Sequence, residues 1–216
     1  LQVADRDGAL DRIADGLPAD AERVLEANRA DVEAERGRGT AAAQIDRLEL
    51  TPTRLEAIAD AVRQVRSLPD PVGRVLDERT LASGVALRKV TVPFGVIGMI
   101  YESRPNVTVD AVVLGLKAGS AVVLRGSSNA LASNRALVAS MRASVAAAGL
   151  PPDAVQLIDS PERGYVTELL QAKGLVDLVI PRGGAGLIQH VVTNASVPVI
   201  ETGVGNCHVY VDEGAD

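Results

Sequence analysis

Beyond the SLPDP stretch at residues 67–71, the chain alternates short, continuous apolar runs with stretches of helical character. The runs fall at residues 85–92, 94–101, 121–125, 155–158, 176–180 and 197–200, with 209–211 as a further short one. Segments 110–117, 129–148, 161–172 and 185–194 read as helices; Gly149-Leu-Pro-Pro152 closes one and Pro161 opens another. Apolar runs without alternation are strands buried on both faces, and strands separated by helices pair in parallel. The pattern predicts an α/β fold, a Rossmann-like doubly wound parallel sheet over residues 69–216. Residues 85–92 and 94–101 read as two strands that pair with each other near Pro93.

Residues 1–68 read as a helical segment packed on that sheet. Ala21, Val24, Leu25, Asn28 and Val32 recur at helical spacing, with charges elsewhere. Residues 36–39 form a loop. Thr51-Pro52 is a helix start, because Thr caps and Pro at the first position loses no needed hydrogen bond. Leu55, Ile58, Ala59, Val62 and Val65 then line one apolar stripe.

Composition excludes several functions. The 22 basic and 28 acidic residues leave a formal charge of −6, a poor match to nucleic acid. Four aromatic residues, Phe94, Tyr101, Tyr165 and Tyr210, offer no stacking platform for single strands. One cysteine rules out an internal disulfide and any multi-cysteine metal site, so no metal and a reducing cytoplasm are expected. The most apolar run, around residues 92–101, is broken by Pro93, Gly95 and Gly98 and is too short to span a bilayer. The opening residues lack the apolar core of a secretion signal. A first residue that is Leu, and a last one that follows an apolar run, suggest a piece of something longer.

In doubly wound sheets ligands sit beyond the carboxyl ends of the strands. Three loops there carry chemistry. Pro181-Arg-Gly-Gly-Ala-Gly186 follows a strand and opens a helix, so backbone N–H groups and Arg182 can meet a phosphate. Arg125, Ser127 and Ser128 can hold ribose or phosphate oxygens, or merely cap the next helix. Arg104, in Tyr101-Glu-Ser-Arg-Pro-Asn106, suits a carboxylate or a phosphate, or a surface ion pair. Neither GxGxxG nor GxxxxGK[ST] is present. Cys207 and His208 are adjacent, so on an extended chain they point apart and do not form a nucleophile–base pair. His190 reads as a structural or surface histidine.

Four stretches carry a resemblance: VPFGVIGMIYESRPNVTVDA (92–111), AVVLRGSSNALASN (121–134), VDLVIPRGGAGLI (176–188) and VPVIETGVGNCHVYVDEGAD (197–216). In order and separation they resemble the γ-glutamyl phosphate reductases (glutamate-5-semialdehyde dehydrogenases) of the aldehyde dehydrogenase superfamily. The resemblance covers essentially the whole chain and is strongest from Val85 onward. It implies NADPH-dependent reduction of L-glutamyl 5-phosphate to L-glutamate 5-semialdehyde and phosphate, the second step of proline biosynthesis from glutamate. A cysteine thioacyl intermediate would divide the reaction into two steps. Arg125, Gly126 and Ser127 then match the loop at the adenosine ribose, and Pro181, Arg182, Gly183 and Gly184 the loop at the pyrophosphate. Residues 103–106 match the loop under the nicotinamide and the acyl group, with Asn106 or the Ser103 hydroxyl as oxyanion donor and Arg104 at the substrate phosphate. Glu201 falls where many relatives carry a general base. Cys207 lies too few residues after it to be the nucleophile, which is expected beyond Asp216, so this chain alone is expected to be inactive. The resemblance further implies a homo-oligomer, built in part by the arm at 85–101, and glutamate 5-kinase as a functional partner. Residues alone do not choose NADPH over NADH. Two other readings are a nucleotide-binding module without catalysis and a different aldehyde or acyl-phosphate dehydrogenase; the YESRPN and PRGG blocks speak against the latter.

Overall fold

A computed structural model describes residues 2–201 and 208–215. Four helices come first: α1 (Val3–Ala19), α2 (Ala21–Gly37), α3 (Ala42–Leu48) and α4 (Pro52–Ser67). Thr51 caps α4, its hydroxyl accepting from the Arg54 N–H at 3.1 Å. Strands β1 (Val75–Thr80) and β2 (Ala86–Val90) then form an antiparallel hairpin. The remainder alternates β3 (Val96–Tyr101), α5 (Pro105–Lys117), β4 (Ala121–Arg125), α6 (Leu131–Ala147), β5 (Val155–Leu157), α7 (Gly164–Gln171), β6 (Leu178–Arg182) and α8 (Ala185–Asn194). The sheet is parallel, in the order β5-β4-β3-β6.

Alternate residues of each strand serve opposite faces. Met99, Tyr101, Val122 and Leu124 join Leu10, Ile13, Leu55, Val112 and Leu137 in one core, so α1 and α4 share a continuous interior with α5 and α6. Ile100 and Val179 pack instead with Leu169, Leu170 and Val191 beneath α7 and α8. A buried ionic knot holds α1 in place. Arg6 pairs with Asp70 at 2.8 Å and donates to the Lys117 carbonyl at 2.7 Å, while the Lys117 ammonium meets Asp7 and the Arg66 carbonyl.

Four expectations are corrected. Residues 85–92 do not pair with 94–101; their partner is β1, across a turn closed by Gly84 at φ +85°. Gly95, at φ +106°, redirects the chain so that β3 enters the parallel sheet between β4 and β6. A side chain there would also strike the Asp177 carboxylate, which accepts from the Val96 N–H at 2.8 Å. Residues 197–200 reduce to a single parallel bridge, Val199 to Val179, because Pro198 has no N–H to extend a ladder. Residues 208–215 contain no strand. Helix α5 starts five residues before the expected 110, since Pro105 is preorganised for a first helical position.

Candidate cofactor and substrate clefts

From β3 the chain steps through β4 to β5, then returns to lay β6 on the other side of β3. The loops after β3 and β6 therefore diverge, and that divergence opens a crevice at the carboxyl ends of the strands. Glu102 to Asn106 leave from one side of it, Gly183 and Gly184 from the other.

On the α7/α8 face lies a cleft of about 680 Å³, lined by Ile100, Glu102, Arg125, Ser127, Arg163 and His190, among others. Arg125 belongs to it through pleat parity: Leu124 faces the α5/α6 core, so its neighbour faces the cleft. The Arg125 side chain is buried, with 7% of the residue exposed. It donates to the Gly126 carbonyl and, at 3.4 and 3.3 Å, to the carbonyls of Pro161 and Glu162. Among the described residues no carboxylate pairs with it, and its Nε has no partner. Burial pulls its pKa down, yet a guanidinium keeps its charge in proteins. A buried cation without a counter-ion is costly, so an anion in this cleft would be bound with gain.

Two glycines permit close approach here. A side chain at Gly126 would strike the amide of Asn134 and the ring of Tyr101. Those two groups belong to a buried chain in which the Tyr101 hydroxyl lies 2.8 Å from Thr108, whose hydroxyl donates to Asn134 at 2.7 Å. Burial keeps the Tyr101 phenol protonated by pushing its pKa far up. At Gly183 a side chain would meet Glu102 and Leu187. Glu102 instead reaches the start of α8 and accepts from the Gly184 N–H at 3.0 Å.

The expected site residues separate into two groups. Arg125 and Ser127 line the large cleft. Arg182 does not; it pairs in register with Tyr101, on the α5 face, and acts on Asp110. Burial raises the Asp110 pKa, against the pull of Arg182 and of Asn106, whose amide donates at 3.4 Å. Ser103, Arg104 and Asn106 face the N-terminal helices across two smaller clefts, of about 250 and 320 Å³. Glu201 is exposed and lines none of these clefts. Cys207 lies outside the described residues.

Sequence reasoning gave no role to Arg163, Glu35 or Arg47, while His190, read as a structural or surface histidine, is exposed and lines the large cleft. The 190 position has a signal, because it lies on the first turns of the helix after the PRGG loop; the others are brought in by tertiary packing alone. Glu35 on α2 is buried, and its carboxylate accepts from Thr40 at 2.7 Å, from Asn129 at 3.0 Å and from Arg38 at 2.5 Å. It ties the N-terminal helices to the loop after β4. The Thr40 hydroxyl most of all, then Arg38 and Asn129, hold its pKa below the ordinary carboxylate range against the effect of burial.

This sheet order and crevice define a Rossmann-like, doubly wound α/β fold, and the whole chain, residues 1–216, matches the aldehyde dehydrogenase family, to which it belongs. Within that family it is similar to a curated gamma-glutamyl phosphate reductase from Desulforamulus reducens, with 54% identity over all 216 residues. The chain spans about half the length of that relative, 52%. A crystal structure of gamma-glutamyl phosphate reductase from Thermotoga maritima superposes with a TM-score of 0.93 at 44% identity, covering 100% of this chain and 52% of that one. The Saccharomyces cerevisiae reductase of the same name gives 0.85 at 31% identity, covering 93% and 51%. An acetylating aldehyde dehydrogenase from Geobacillus thermoglucosidasius shares the fold, with a TM-score of 0.70 at 18% identity over 95% of this chain and 42% of that one.

Proposed function

We propose that this chain is the cofactor-binding part of a γ-glutamyl phosphate reductase. The protein would reduce L-glutamyl 5-phosphate with NADPH, forming L-glutamate 5-semialdehyde and phosphate on the route to proline. The observation that carries the reading is 54% identity along the entire chain to a protein of that name. The cleft adds physical support, since a phosphorylated dinucleotide would supply the anion that buried Arg125 lacks.

In this reading each group has a task. Arg125 and Ser127 hold the adenosine end in the large cleft. Gly183 and Gly184 bring backbone N–H groups to the pyrophosphate, and Glu102 rotates off Gly184 to admit it. Pro181 sets the turn before them. The Ser103 hydroxyl or the Asn106 amide donates to the acyl oxygen, and Asn106 must then share its amide with Asp110. Arg104 neutralises the departing phosphate. Glu201 takes the general-base position. The cysteine that receives the acyl group lies beyond Asp216 in this reading, with Cys207 not taking that part. Bound NADPH supplies the hydride. The exposed hairpin, with Val75 and Leu76 about half uncovered, serves self-association, because an isolated two-stranded hairpin is marginal in water. Supply by a glutamate 5-kinase and a cytoplasmic setting complete the reading.

The test uses the protein at its native length in the reverse direction. NADP⁺ reduction should require both L-glutamate 5-semialdehyde and inorganic phosphate. Dinucleotide binding without turnover would favour a non-catalytic module. Turnover with coenzyme A in place of phosphate would favour another acyl dehydrogenase.

A further inference from the structure

The two smaller clefts adjoin, and two side chains line both: Arg104, after β3, and Arg47, on α3. We propose that Arg47 reads the amino-acid end of the substrate by pairing with its α-carboxylate. This rests on the reductase reading and adds to it a specificity-determining residue from the N-terminal helical segment.

The charge inventory around Arg47 supports the assignment. Its acidic neighbours are already engaged. Glu49 pairs with Arg36 at 3.3 Å, Asp46 with Arg54 at 2.7 Å, and Glu35 with Arg38, Thr40 and Asn129. Arg54 is further fixed by the carbonyls of Asp46 and Glu49. Among the described residues Arg47 has no carboxylate partner and no side-chain hydrogen bond, and the same holds for Arg104. The wall common to both clefts therefore presents two guanidinium groups with all their donors available.

The substrate carries an anion at each end, an acyl phosphate and an α-carboxylate. Arg104 shares its loop with Ser103 and Asn106, beside the crevice where the acyl group must lie, so it falls to the phosphate end. Arg47 lies one element further out and falls to the carboxylate. A guanidinium fork matches a carboxylate with two parallel hydrogen bonds, which an aldehyde without that group cannot supply.

The experiment is kinetic, on the native-length protein, with phosphate, NADP⁺ and either L-glutamate 5-semialdehyde or 4-aminobutanal, the same aldehyde lacking the carboxylate. Arg47→Ala should raise KM for the semialdehyde on the order of 50-fold and leave kcat within about threefold. Equilibrium binding of the semialdehyde without NADP⁺ should weaken by the same factor. KM for phosphate and the slow rate on 4-aminobutanal should not change. Arg47→Lys should lose about 5- to 10-fold, because it keeps the charge and loses the fork. Arg47 is exposed, so thermal unfolding should match the wild type. An unchanged KM for the semialdehyde, or a rise in KM for phosphate instead, overturns the inference. Absence of phosphate-dependent turnover in the wild type would sink the reductase reading itself, whereas an indifferent Arg47→Ala in a working enzyme sinks this inference alone.

Discussion

Arg6 and Arg125 are buried to nearly the same depth, 3% and 7% exposed, and each leaves its Nε unpartnered. Their remaining nitrogens meet different surroundings. Arg6 finds a carboxylate, Asp70, and a helix-end carbonyl, Lys117. Arg125 finds carbonyls alone and the wall of an open cleft. The first is a completed structural joint between α1, α5 and the hairpin's base. The second has no carboxylate partner among the described residues, and in the proposed reading an anionic cofactor supplies the missing charge. Depth of burial does not separate the two roles; the presence of a counter-ion does.

Substitutions can break that contrast. The largest effect is expected from Arg125→Ala, which should weaken NADPH binding on the order of 100-fold by calorimetric titration while shifting Tm by less than about 3 °C. Arg6→Ala should do the reverse. It strands the Lys117 carbonyl and frees Asp70, so Tm should fall by roughly 5–10 °C with dinucleotide affinity unchanged. If both substitutions acted on stability alone, Arg125 would be as structural as Arg6.

Smaller effects sharpen the picture. Glu102→Gln removes the negative charge that competes at the Gly184 N–H, and should tighten NADPH binding by about two- to fivefold. Glu35 offers a pH test. Its folded pKa lies below the unfolded value of about 4.3, so its stabilisation is present in full above that value and is lost as pH falls through the folded one. Glu35→Gln should therefore cost roughly 3–6 °C in Tm at neutral pH. The difference from wild type should vanish in acid, which melting curves across that range would show.

Much of the frame is readable in the residues. The run at 121–125 became β4 with the expected ends, and Thr51-Pro52 started α4 where capping chemistry requires. The hairpin was not legible, because β1 reads VLDERT: its two apolar residues are followed by three charges, and the pairing of Glu78 with Arg88 emerges only across strands. That the loops at the carboxyl ends of the strands border clefts was legible, since topology alone points there. The face of each arginine was not, although pleat parity contains it. Arg125 and Arg182 both end strands, yet their neighbours Leu124 and Pro181 point opposite ways, which sends one to the cleft and the other towards Asp110. Arg47 was illegible for a different reason: nothing on α3 signals a site, and it becomes notable once Asp46, Glu49 and Glu35 are seen to be engaged elsewhere.

In the proposed reading the cofactor lies on the α7/α8 face, held through Arg125. Parallel NADPH titrations of Arg125→Ala and Arg182→Ala test it most directly. The expected result is a loss on the order of 100-fold for the first and a change within about threefold for the second. A large loss at Arg182 with Arg125→Ala still binding normally would place the cofactor on the α5 face and contradict it.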